Sequence, residues 1–164
     1  MRTSVLHSII AFLRYLLLIV AIGYVFIYLY LVFFRMQYPF TLEWQEGMSL
    51  EQVRRILAGQ KLYVPPSIEF APYNYPPLYF YVSALVSKMV GEGFVPLRVV
   101  SVLSSLGCFG IIFWFVRRET EDIYAGIVAS GLFAATYRIS GAWFDIARID
   151  SLFLVLLLFA MYVL

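Results

Sequence analysis

Glu43 and Glu46 stand in a stretch, LEWQEGMSLEQVRRILAGQKLYVPPSIEFAPYNYPPLYFY (Leu42 to Tyr81), bordered on both sides by almost purely apolar sequence. With Glu51 and Glu69 the stretch holds four of the chain's ten acidic residues, and six prolines lie between Pro39 and Pro77. A carboxylate in such a loop can act as general base toward an acceptor hydroxyl or amine. An arginine can hold a phosphate that departs as leaving group. The further candidates are Asn74 in the same loop, Arg98, and the group Arg138, Asp145, Arg148 and Asp150. Taken singly, Arg148 and Asp150 read as helix caps and Arg98 as a side chain snorkelling to the interface. Ionisable groups at membrane depth are costly and tend to be paired and functional, so the convergence of three separate segments points to a shared site.

The elements that must position these residues follow from composition. The chain is 63% hydrophobic, 19% aromatic and 13% charged, with mean hydropathy +0.86; soluble domains carry about 25% charged residues. This is an all-α integral membrane protein by composition. A net charge of +2 without a basic patch excludes a nucleic-acid partner. The single cysteine, Cys108, excludes an intrachain disulfide, offers no zinc pattern and reads as a small buried hydrophobe. His7 has no metal-ligand partner at helical spacing.

Along the chain, residues 1–14 are basic and acid-free, and residues 15–34 carry no charge over the length a span requires. The exit from that run is bulky, unlike a cleavable signal, and the basic residues before it place the N-terminus in the cytoplasm. Arg35 after it weighs mildly against that orientation. Residues 35–94 form a long outer loop. Within it, Ser49 and Gln52 make a capping-box pattern, and Leu50, Val53, Ile56 and Leu57 recur at helical spacing until Gly59. That predicts an interfacial helix near 48–58, and Pro77 opens a second near 77–90. The prolines between them prevent regular structure. A second span is predicted at 95–116. Its terminal Arg117-Arg118 falls in the cytoplasm when 77–90 lies in the interface rather than crossing. Residues 117–122 are a cytoplasmic turn, 123–137 a third span rich in small residues, 138–150 a second outer segment, and 151–164 a fourth span. All of 1–164 is one membrane domain. The chain stops inside its last apolar run, which suggests a piece of a longer protein.

The order of these features resembles the GT-C glycosyltransferases, in the branch of the protein O-mannosyltransferases and lipid A aminoarabinose transferases. Five features carry the resemblance: an acidic pair opening the outer loop after one span, an amphipathic helix ending ILAGQKLY, the motif YPPLYFY, an arginine in PLRVVSVLSSL, and the pair in ARIDSLFLVLL. The resemblance implies transfer of a sugar from a polyprenyl-phosphate donor to an acceptor on the extracytoplasmic face, with inversion. It implies no cofactor and no metal, since donors with a single phosphate in this branch do not generally need one. It also implies a catalytic carboxylate in the first loop, usually the Asp of an Asp-Glu pair. Gln45-Glu46 stand on that pair, so Glu46 is the first choice and Glu43 the second. The family's basic residue before the proline motif is replaced by Asn74-Tyr75. Arg98 or Arg148 would then hold donor phosphate, and Asp150 would support the loop. Family members have many more spans than this chain, so the isolated chain is expected to be inactive.

The alternative is a small non-catalytic membrane subunit that packs on a larger membrane complex, its loop serving for docking. A transporter fragment fits less well, because the spans hold almost no charge at mid-depth. Either main reading places the chain in the cell membrane, multi-pass and among lipid.

Overall fold

The computed structural model describes residues 2–164, with side chains from Val5 onward. It is helical throughout: α1 (Arg2–Met36), α2 (Trp44–Leu57), α3 (Leu78–Val90), α4 (Phe94–Thr120), α5 (Ile123–Ala135) and α6 (Asp150–Val163). Of the segment 1–14 expected before the first span, Met1 lies outside the described residues, and the rest is continuous with α1. Two helices are long and apolar enough to cross a membrane, over Val5–Met36 and Phe94–Thr120. The apolar helices α3, α5 and α6 are shorter, at 13, 13 and 14 residues.

α1 buries a narrow stripe of Ala21, Tyr28 and Val32 and leaves Phe12, Tyr15, Ile19, Phe26 and Phe33 exposed. A helix that is apolar all round and covered on one stripe suits a lipid environment. α5 packs along that stripe. A Cβ on Gly131 would lie 2.4 Å from the Cβ of Ala21, so glycine there is what lets the two backbones meet. Tyr28, Val32, Val102, Phe109, Ala134, Tyr137 and Phe144 form one apolar core among α1, α4, α5 and the segment after α5. Leu50, Val53, Leu62, Tyr79, Phe80, Leu97, Val100 and Ala147 form a second, which fastens α2 and α3 to the start of α4.

Two local expectations need correcting. α2 starts at Trp44, with the Glu43 side chain accepting from the Gln45 N–H at 3.0 Å as its cap. Ser49, expected to open that helix, is instead buried inside it, because the apolar face continues back past it to the Glu46 position. Its end is as the sequence reads, with Gly59 at φ +70 just beyond. The turn expected at 117–122 is also shorter. α4 continues through Arg117 and Arg118 to Thr120, leaving Glu121 in the left-handed region and Asp122 capping α5 through Tyr124 N–H.

Candidate active site at the loop face

Arg98, four residues after Phe94 opens α4, is fully buried, and so is Glu46 in the first turn of α2. The two form a bidentate pair: Arg98 Nε donates to Glu46 Oε1 at 2.9 Å and Nη2 to Oε2 at 2.8 Å. The remaining guanidinium donors go to main-chain oxygens as the chain leaves α1, namely Arg35 (3.1 Å), Tyr38 and Phe40 (2.8 Å). Each Glu46 oxygen also accepts one backbone N–H, Oε1 from Ala147 at 2.8 Å and Oε2 from Leu42 at 2.6 Å. Burial alone would raise the Glu46 pKa, but the hydrogen bonds from Arg98, Ala147 and Leu42 outweigh it and hold the carboxyl below its ordinary value. The pair therefore ties together the end of α1, the start of α2, the start of α4 and the segment before α6. Its geometry is closed: each Glu46 oxygen accepts two hydrogen bonds, and the side chain has no exposure to solvent.

A second, more open group lies beside it. Arg148 lies with its guanidinium 3.8 Å from the centre of the Trp143 ring. Its Nε donates to Asp150 Oδ2 at 2.8 Å, and its Nη1 is 3.5 Å from Glu43 Oε2. The side chains of Arg148, Glu43 and Asp150 are 8%, 20% and 45% exposed, so access increases outward from the arginine. Two hydroxyls hold this segment on α4: Ser101 donates to the Arg148 carbonyl at 3.1 Å, and Ser105 donates to Phe144. Gly141, at φ +73, packs so close to Trp143 that a Cβ would come within 2.7 Å of the indole. The Tyr73 hydroxyl is buried, takes no hydrogen bond from the described residues, and has Arg148 and Glu43 among its charged neighbours. Burial pushes its phenol up to about 12.

A third pair stands behind these. Asp145 is buried, with Oδ1 accepting from the Tyr137 hydroxyl at 2.8 Å and Oδ2 3.2 Å from Arg35 Nε. Arg35 donates in turn to Tyr137 and to the Ala142 carbonyl. Burial raises the Asp145 pKa above its ordinary value, with Arg35 acting against it.

Of the residues singled out in the sequence, Glu43, Glu46, Arg98, Arg148 and Asp150 thus fall into two adjoining groups bridged by α2 and the segment 144–150. Asn74 is exposed in the loop. Glu69 is exposed too, and Arg138 is exposed beyond α5. Tyr73 and Trp143 carry no spacing signal, since their places beside Arg148 come from tertiary packing alone.

Compared with known proteins, residues 74–164, more than half of the chain, match the sequence model of a family described as Dolichyl-phosphate-mannose-protein mannosyltransferase. The matched part holds Asn74, Arg98, Arg148 and Asp150, while Glu43 and Glu46 precede it. Neither curated proteins nor solved structures yield a match.

Proposed function

The chain belongs to the dolichyl-phosphate-mannose-protein mannosyltransferase family, and from that premise we propose that Glu43 is the base of its transfer reaction on the extracytoplasmic face. The family implies a membrane glycosyltransferase that takes its sugar from a polyprenyl-phosphate donor. In the proposed step, Glu43 removes the proton of the acceptor hydroxyl or amine as that atom attacks the anomeric carbon. The bond from that carbon to the phosphate oxygen breaks on the opposite side, the electron pair leaves with the polyprenyl phosphate, and the anomeric centre inverts.

One observation carries the choice of base. Glu43 is a partly exposed carboxylate at the open group, whereas Glu46 is enclosed with every acceptor direction occupied. A base must reach the proton it takes, and geometry ranks before pKa in that decision. Glu46, the sequence's first choice, becomes the group that fixes the loop, with Arg98 as its partner. Arg148 holds Glu43 and Asp150 in register, and its charge lies next to where a phosphate would leave. Asn74, exposed in the same loop, is a further candidate for contact with donor phosphate or for loop support.

The proposed topology has four crossings at α1, α4, α5 and α6, with α2 and α3 in the interface and the N-terminus cytoplasmic. Its support is a pair of polar layers. Arg14, twelve residues into α1, meets Asp122 at 3.5 Å, and Arg35 at the helix's last turn meets Asp145. Those two arginines are about 30 Å apart along the helix, the thickness of a hydrocarbon core. α6 starts at Asp150 and covers about 18 Å to Tyr162, whose carbonyl accepts from the Arg118 side chain at 3.1 Å.

The test is transfer, in its membrane, by a full-length family protein that carries this segment. Glu43→Gln keeps an acceptor oxygen for the helix cap but cannot take a proton, so turnover should fall by about 10²- to 10⁴-fold with the amount of inserted protein unchanged. Full activity in Glu43→Gln would remove Glu43 from the chemistry.

A further inference from the structure

The groove between α1 and α5 is a separate feature that the transfer reaction does not use. Its cavity of about 350 Å³ is lined by Tyr24, Ile27, Leu31 and Arg35 from α1 and by Ala134 and Arg138 from the far end of α5 and beyond. The two helices touch at Ala21 and Gly131, and the cavity opens from there toward the arginine end, where alanines in α5 leave the space unfilled. From Tyr24 to Arg35 the groove runs about 16 Å along α1. That is about half of a hydrocarbon core, the depth of a single leaflet. Its walls are apolar and its mouth is cationic. Arg35 is balanced by Asp145, while Arg138 is exposed and has no ion pair among the described residues.

We propose that this groove holds one anionic glycerophospholipid, with an acyl chain between α1 and α5 and the phosphodiester at Arg138. Three features select that occupant. The depth matches one leaflet, the wall suits a hydrocarbon chain, and the net charge at the mouth is a single positive one. A zwitterionic lipid brings its own cation to Arg138, which has no carboxylate left to receive it. A polar peptide segment would bury unpaired backbone groups against the apolar wall. The inference rests on the reading of α1 and α5 as membrane spans and is independent of sugar transfer.

The experiment is native mass spectrometry of the protein released from nanodiscs containing equal phosphatidylglycerol and phosphatidylcholine. The wild-type protein should retain one phosphatidylglycerol, preferred about fivefold over phosphatidylcholine, the worth of one arginine near an anionic surface. Arg138→Gln should abolish the preference while leaving some lipid bound. Ala134→Phe should displace the bound lipid altogether, and the intact mass and detergent elution profile of that variant establish that it folds. Equal retention of both lipids by the wild type, or an unchanged adduct in Ala134→Phe, would overturn the proposal. With polyprenyl phosphate added to the same nanodiscs, its retention in preference to phosphatidylglycerol would overturn the proposal as well, by giving the groove to the donor. Resistance of the protein to alkaline carbonate extraction tests the spanning reading separately.

Discussion

Arg98 and Glu46 form a fully buried pair beside the more open cluster proposed to do chemistry. With both groups fully buried, removing one partner leaves the other as an uncompensated charge, a loss of about 3–5 kcal/mol. Glu46→Gln and Arg98→Leu are therefore expected to lower the yield of folded, detergent-extractable protein sharply, whereas Glu43→Gln does not. Size-exclusion elution of the solubilised variants measures the difference. Equal yields for Glu46→Gln and Glu43→Gln would show that the buried pair does not hold the loop. The same pair sets an acid limit. Because the folded-state pKa of Glu46 is lowered, its contribution is present above the unfolded value and is lost as pH falls through the folded one. Thermal unfolding of the wild type should thus hold steady down to the ordinary carboxylate range and weaken below it. The sequence showed both acids three residues apart, and nothing in that spacing says which one the fold will enclose. The partner of Glu46 comes from a helix more than fifty positions later, so burial had to be seen in three dimensions.

At the scale of elements, most helices lie where charge-free runs are bounded by polar ones. The start of α2 was harder to read, because Ser49 and Gln52 imitate a cap while in fact sitting on its buried face. What fixes the relation between elements is close contact of small residues, and Gly131 against Ala21 is the tightest case. Any side chain at position 131 must push α1 away, since the obstructing atoms belong to backbone and Cβ rather than to a flexible tip. Gly131→Val is expected to destabilise the α1–α5 pair by about 1–3 kcal/mol, the ordinary range for overpacking. A fall of several degrees in the unfolding temperature in detergent would record it, and an unchanged temperature would mean that α1 and α5 separate without cost. The small-residue pattern of α5 was visible in the sequence, but its partner was not, since Ala21 is one alanine in a long apolar helix.

For the whole molecule, the functional reading depends on Glu43, Arg148 and Asp150 facing the same aqueous side, with the Arg117-Arg118 end of α4 facing the other. Three exposed positions test this without touching the site: Ile68 in the proline-rich loop, Ile139 after α5, and Glu119 at the end of α4. The native Cys108 is buried in α4 and gives little background to a polar thiol reagent. Single cysteines at 68 and 139 should react with a membrane-impermeant maleimide on intact cells. A cysteine at 119 should react only after the membrane is opened. The proposed topology predicts this pattern, and three contacts support it: Arg14 pairs with Asp122, Arg35 with Asp145, and Arg118 reaches the Tyr162 carbonyl near the end of α6. Labelling of 68 and 139 from opposite sides would separate Glu43 from Arg148 by the membrane and end the case for a shared site. Labelling of all three from outside would instead leave the site intact and move α4 out of the bilayer, which would remove the spanning helix on which Arg98 anchors the loop.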